Sequence, residues 1–360
     1  MNICILYGGR SGEHEVSLRS AASVVRNLDP SRYAVTAIGI DKAGHWHLQE
    51  KVSLLEVPGQ GALLSIVPSS TPVSIRPSDG IHTLSGRLAI DCVFPVLHGS
   101  FGEDGTVQGL LEIAGLPYVG AGVPGSAISM DKETAKRLWR DAGLPIVSFQ
   151  AVDRSSSAQS VREAAARIGW PVFVKPCSAG SSLGASRADD ERGLDAAVAQ
   201  ALRYDTRALL ERCIDAREIE CAVIGNSSPR AFPPGEIVPS SAHGFYDYDA
   251  KYIDKDGARL ETAARIDEQT RTRVMRAAES AYAAVRCEGM ARVDFFLERG
   301  TGEIFLNEIN TIPGFTSISM FPRMCEASGL PYARLLDTLI ELALARDTER
   351  KTVRYEKENA

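Results

Sequence analysis

The stretch Phe305–Phe315, FLNEINTIPGF, decides how the rest of the chain is read. An apolar run carries Glu308 and Asn310 two positions apart, then stops at a Pro-Gly turn. In a strand, side chains two apart lie on one face, so these oxygen donors project together. Upstream, ARVDFFL places Arg292 and Asp294 with the same spacing. If RGTGE, Arg299 to Glu303, is the hairpin loop, Asp294 faces Glu308 and Arg292 faces Asn310. Two carboxylates, an amide and a guanidinium then share one face. A hard, all-oxygen set of this kind suits Mg²⁺, which shares its shell with water and substrate phosphates. Glu308, between Asp294 and Asn310, can bridge two ions. The competing reading is hydrogen-bonded capping of the hairpin ends, and the adjacent cation shifts the balance to metal.

The chain has 360 residues, room for two or three domains around substantial cores. Its 44% hydrophobic and 24% charged content is that of a globular protein in water. A net charge of -6 argues against nucleic acid or an anionic membrane as the main partner. No apolar run is long enough to span a bilayer, and MNICILYGGRSG reads as a first core strand, not as a signal peptide. Seven cysteines without a CxxC pair point to buried, reduced thiols and a cytoplasmic protein.

The first third alternates strand and helix: ICILY, EVSLRSAASVVRNL, AVTAIGI, IDCVFPVLHG, then DGTVQGLLEIAG. That βαβ rhythm predicts an α/β unit with a mainly parallel sheet and ligand loops at the strands' carboxyl ends, over residues 1–121. Val57 to Arg87, rich in Pro, Ser and Gly, reads as a surface excursion. A second α/β segment, 122–212, holds the helix DKETAKRLWRDAG, a helix opened by a Ser160/Glu163 capping box, and the strand WPVFVKP before a Gly/Ser loop. The remainder, 213–360, is α+β. It contains the strands ALLERCI (begun just before it) and REIECAVIG, a long polar loop, the hairpin and an amphipathic C-terminal helix. The charged tail from Arg346 is expected to fray.

Metal implies phosphate, and the best cradle is VFVKPCSAGSSLGAS. Lys175 ends a strand, and Gly180, Ser181, Ser182 and Gly184 form a loop whose N–H groups can clamp phosphoryl oxygens. Lys132, alone, reads as a solvated helix-start lysine. Glu211, Glu218 and Glu220 lie on strands; they are either solvated or accept from an adenine amino group or ribose hydroxyls. Glu13, His14, Glu15 and Ser17 open a helix after a glycine turn, as caps or with a buried Glu15 holding a substrate ammonium. His98 ends a strand in a ligand position, ahead of the helix-start acids Glu103 and Asp104. GFYDYDAKY, with Lys251 and Tyr252, reads as a lid or a mobile loop.

Together these motifs resemble the ATP-grasp ligases, and among them the D-alanine–D-alanine ligase family. The resemblance runs through GGRSGEHEVS, PVLHGSFGEDGTVQGLLEIAGLPYVG, MDKETAKRL, VFVKP, GSSLG, REIECAVIGN, FYDYDAKYID, GMARVDFF and NEINTIPGFTSISMFP, nearly the whole chain. It implies a three-domain ATP-grasp fold with a Rossmann-like N-terminal substrate domain. It implies ATP, two Mg²⁺ ions (Mn²⁺ as substitute), D-alanine as substrate, a homodimer and a place in peptidoglycan synthesis. By that likeness Lys132 and Lys175 contact phosphates with Ser182 and Lys251 beside them, and Glu211 and Glu218 hold adenine and ribose. Asp294, Glu308 and Asn310 bind the metals, and Arg292 with the Gly314 N–H stabilises the oxyanion. Glu15 anchors the first D-alanine's ammonium and Ser319 the second one's carboxylate, with His98 also among the substrate-binding residues. Ser181, Tyr252 and Glu15 link to shut the loop. Cys177 and Ala179 depart from many relatives. The rival readings are a ligase of the same fold taking D-lactate or D-serine, and a non-catalytic nucleotide-binding sensor.

Overall fold

The computed structural model describes residues 1–58, 61–69, 71–239 and 258–354. Strand β1 (Asn2–Gly8) lies between β2 (Ala34–Ile40) and β9 (Cys92–Val96), parallel to both, and β3 (Trp46–Gln49) adds an antiparallel edge. Ile3 to Tyr7 are wholly buried, the continuous apolar run of a strand covered on both faces. The chain leaves β1 through Gly8 and Gly9, both at positive φ, and a Cβ on Gly8 would lie 2.2 Å from the Ile40 carbonyl oxygen. Glycine is therefore required there. This turn sets the start of α1 (His14–Asn27) at the carboxyl end of the sheet, beside the loop that follows β9.

The described residues of 57–87 hold more regular structure than the composition suggests. Short strands β4 (Leu54–Val57) and β5 (Gly61–Leu64) pair, as do β6 (Ser74–Arg76), β7 (Gly80–Thr83) and β8 (Gly86–Arg87). Leu64 and Ile81 are fully buried, so isolated apolar residues anchor ribbons that the Pro, Ser and Gly only punctuate.

After α2 (Thr106–Ile113), α3 (Val123–Met130) and α4 (Lys132–Asp141) comes a second, antiparallel sheet. Its order is β10 (Phe149–Asp153), β13 (Arg207–Arg212), β11 (Val172–Pro176), β12 (Ser186–Ala188), backed by α5 (Ala158–Ile168) and α6 (Glu191–Ala201). The expected capping box is displaced: Ser157, not Ser160, caps α5 by accepting from the Ser160 N–H at 3.1 Å. Glu163 instead accepts from Gln159 one turn earlier.

The third sheet runs β17 (Ala258–Glu261), β16 (Gly235–Pro239), β14 (Ala216–Gly225), β18 (Gly289–Glu298), β19 (Ile304–Asn310), with β15 (Arg230–Ala231) on β14. The β18–β19 register pairs Arg292 with Asn310 and Asp294 with Glu308, as the spacing predicts, with a bulge after Asp294. Helices α7 (Glu268–Ala284), α8 (Met320–Ala327) and α9 (Tyr332–Arg350) complete the described chain. Helix α9 runs past the point where fraying was expected. Arg346 is buried, donating to the Gly120 and Tyr118 carbonyls and lying over the Tyr118 ring at 4.4 Å. All seven cysteines are free. Among the described residues no helix is long and apolar enough to cross a membrane.

Candidate functional site

The site begins on the shared face of β14, β18 and β19. Arg292 donates from Nε and Nη2 to the two oxygens of Asp294 at 2.7 and 2.6 Å, and its Nε lies 3.2 Å from Glu220. Asn310 donates to Asp294 at 2.9 Å. Burial works against the guanidinium's charge, but Asp294 and Glu220 outweigh it and raise its pKa further. Glu220 is thus buried in an ion pair, not solvated. Glu218 shares its face, opposite Ile237 and Phe296.

Lys132 corrects its solvated reading. Capped by Asp131 at the start of α4, it is buried, donates to the Ala179 carbonyl at 2.7 Å and sits 3.8 Å from Glu308. One lysine therefore joins the metal-type carboxylate to the Gly/Ser loop. Burial lowers its pKa, and Glu308 opposes that shift. Lys175 lies 2.7 Å from Glu211 and donates to Asn307 at 3.0 Å. Sequence reasoning missed Lys136, whose fully buried ammonium is 2.8 Å from the other Glu211 oxygen. The available signal was its place one helical turn after Lys132. Burial would push the Glu211 carboxyl up, but the two lysines prevail and hold it at about 2.

The Gly/Ser loop turns through Ser181, Ser182 and Gly184, all at positive φ. Two non-glycine residues held there cost about 1–3 kcal/mol each, strain of a kind found where a backbone is shaped for a ligand. Cys177 and Ala179 engage Lys132 through their carbonyls, so their departure from relatives leaves those contacts intact.

Ser181 donates to Glu13 at 2.5 Å. This corrects the assignment of Glu15, whose side chain is 54% exposed and paired with Lys42. Glu13 precedes the first helical residue and points to the loops, whereas Glu15, in the first turn, points outward. Glu13 packs so closely that a Cβ on Gly99 or Gly180 would lie 2.8 or 3.0 Å from its Oε2. Ser17 is no helix cap: it accepts from Gly8 N–H and donates to Val96, joining β1 to β9.

His98 is buried and commits both ring nitrogens to the protein, Nδ1 to the Ile312 carbonyl at 2.9 Å and Nε2 to Ser20 at 3.1 Å. Direct substrate binding by His98 is therefore not what this geometry offers. Burial lowers its pKa and keeps it neutral. Glu103, read as an ordinary helix-start acid, is half-buried and accepts from Gly99 and Ile312 N–H groups. Burial, then the charge of Glu13, pushes it up to about 8. After Pro313, a Cβ on Gly314 would lie 2.7 Å from Ser319 Oγ, so glycine lets that hydroxyl approach the backbone. Tyr252 and Lys251 lie outside the described residues.

The residues on this face can hold a divalent cation. Among the described residues, no three His, Cys, Asp or Glu side chains form a closed metal cage. Asp294, Glu308 and the Asn310 amide instead offer a few hard oxygens, which leaves coordination for water and phosphate and fits Mg²⁺.

Two family models match the chain, the D-ala D-ala ligase N-terminus over residues 2–121 and the D-ala D-ala ligase C-terminus over 138–341. The chain is 47% identical to D-alanine–D-alanine ligase A of Bradyrhizobium diazoefficiens, over 98% of this chain and 97% of that one. It is 48% identical to D-alanine–D-alanine ligase of Solibacter usitatus, over 99% of both. Among solved structures it resembles the D-alanine–D-alanine ligase of Coxiella burnetii, with a TM-score of 0.84 and 38% identity over 98% of this chain and 96% of that one. A D-Ala:D-Ser ligase from Enterococcus faecalis gives 0.83 and 35%, over 95% and 99%.

Proposed function

Because this chain belongs to the D-alanine–D-alanine ligase family, we infer how its ATP-grasp fold performs that family's reaction, the ATP-dependent joining of two D-alanine molecules for the cell wall. An amine cannot displace a carboxylate oxygen until that oxygen becomes a leaving group. ATP provides one by converting the first D-alanine to an acyl phosphate, releasing ADP. Lys132, Lys175 and the loop at Ser181 and Ser182 hold the phosphates, while Glu211 and Glu218 receive adenine and ribose.

Asp294, Glu308 and Asn310 would hold Mg²⁺, or Mn²⁺ in its place. When bound, the metal neutralises charge on the phosphates. Glu13 takes the role first given to Glu15 and receives the first D-alanine's ammonium, its bond to Ser181 drawing the Gly/Ser loop against the N-terminal loops. Ser319 receives the second D-alanine's carboxylate. Attack by the second amine makes a tetrahedral oxyanion, and Arg292 with the Gly314 N–H are its donors. Phosphate then leaves.

The observation that carries this reading is the single face bearing Arg292, Asp294, Glu308 and Asn310, running directly into the Gly314 turn. A nucleotide sensor has no use for oxyanion donors. The homodimer and the cytoplasmic location rest on family likeness. Product analysis with ATP and D-alanine, alone and against D-lactate and D-serine, tests the reading. Mainly D-alanyl-D-alanine, with phosphate release that requires D-alanine, is expected. An ester or D-alanyl-D-serine as main product would replace the second substrate, and phosphate release indifferent to D-alanine would overturn the reading.

A further inference from the structure

The turn at Pro313-Gly314 is not closed in the ordinary way. A four-residue turn commonly bonds the first carbonyl to the fourth N–H. Here the Ile312 carbonyl and the Phe315 N–H are instead joined through two inserted side chains. Phe315 N–H donates to Ser20 Oγ at 3.2 Å, Ser20 meets His98 Nε2 at 3.1 Å, and His98 Nδ1 reaches the Ile312 carbonyl at 2.9 Å. A carbonyl only accepts, so Nδ1 carries the proton and Nε2 accepts from the serine hydroxyl. The other two groups flanking the turn are held as well. Ile312 N–H donates to Glu103 at 2.9 Å, and Tyr332 OH donates to the Phe315 carbonyl at 2.7 Å. Ser23 on α1 in turn donates to Tyr332 at 3.1 Å. Phe315 itself is buried edge-on against Phe94 and Phe321.

Every backbone group bounding Pro313-Gly314 is thus fixed by a buried or half-buried side chain. The Gly314 N–H donates to no group among the described residues. We propose that Ser20, with His98, Glu103 and Tyr332, is a positioning residue: the four hold the turn open and so aim the Gly314 N–H at the reacting carbonyl. The N-terminal unit then contributes to the oxyanion site without touching the oxyanion. The inference rests on the assignment of Gly314 as a donor. A donor displaced by about an ångström loses much of its effect on rate, whereas nucleotide binding, which uses other residues, is untouched.

The test compares Ser20→Ala and Tyr332→Phe with Tyr33→Phe. The last removes a hydroxyl bond to Asp337 that joins the same units away from the turn, at 2.9 Å. Each is assayed for thermal midpoint, kcat and the KM for ATP. The proposal expects kcat to fall at least about tenfold in Ser20→Ala and Tyr332→Phe with the KM for ATP within about twofold, while Tyr33→Phe loses stability but not kcat. If Ser20→Ala folds poorly, Tyr332→Phe alone decides, since it leaves α1 intact. Lowered midpoints with unchanged kcat in an active protein would overturn the positioning role only. A wild-type protein that makes no dipeptide would overturn the functional reading beneath it.

Discussion

Ser181 and Glu13, 168 positions apart, share a 2.5 Å hydrogen bond that joins the Gly/Ser loop to the start of α1. Glu15, two residues on, is exposed beside Lys42. Glu13→Gln keeps the shape but loses the charge that meets an ammonium. It should lower kcat/KM for D-alanine about 10- to 100-fold, the range of one charged hydrogen bond. Glu15→Gln should stay within about twofold of wild type. Steady-state kinetics on both variants checks this, and the reverse order would restore Glu15.

Lys136 is fully buried against Glu211. Lys136→Met removes one partner of a buried pair and should destabilise the fold by about 3–5 kcal/mol. The Glu211 carboxyl, relieved of one of its two lysines, should also titrate higher. Urea unfolding measures the first effect, and a loss below about 1 kcal/mol would show that the pair is dispensable.

The parts of this molecule governed by period and loop length were legible before the structure. The hairpin register followed from residues two apart and a short glycine-rich loop, and β1, α1 and β2 followed from apolar runs between turns. Helical phase was not legible. Glu13 and Glu15 look alike in a sequence, and only the position where the helix begins decides which one turns inward. Partners distant in the chain were equally hidden. Nothing local in MDKETAKRL says that Lys136 meets Glu211, and nothing around His98 or Ser20 says that they close a turn 214 and 295 residues later.

Glu103 gives a pH signature. Its carboxyl rises from an ordinary 4.5 to about 8 in the fold, through burial and then the charge of Glu13. Between those values the unfolded chain releases the proton while the folded chain keeps it, so the folded state loses ground as pH rises. Below 4.5 both states are protonated, and above about 8 both are ionised, so the effect is confined to that window. The group's share of the slope is at most about 1.4 kcal/mol per pH unit. Glu103→Gln should flatten this fall, whatever its absolute stability. Urea midpoints at pH 5 and pH 8 decide it, and parallel profiles would contradict the raised value.

Glu308 stands beside Lys132 and opposite Asp294. Glu308→Gln removes a hard anionic ligand, so the Mg²⁺ needed for half-maximal activity should rise at least about tenfold, with kcat reduced. A Mg²⁺ titration of activity measures both. An unchanged requirement would remove Glu308 from the metal site.

The central claim is that this site activates a carboxylate by giving one of its oxygens to phosphate. D-alanine labelled with ¹⁸O in both carboxylate oxygens tests it most directly, by mass analysis of the phosphate released with each dipeptide. The account predicts one labelled oxygen in each phosphate. The first residue's carbonyl keeps its other labelled oxygen, and the second residue keeps both. Unlabelled phosphate accompanying dipeptide formation would contradict the account, because ATP would then be cleaved without ever activating D-alanine.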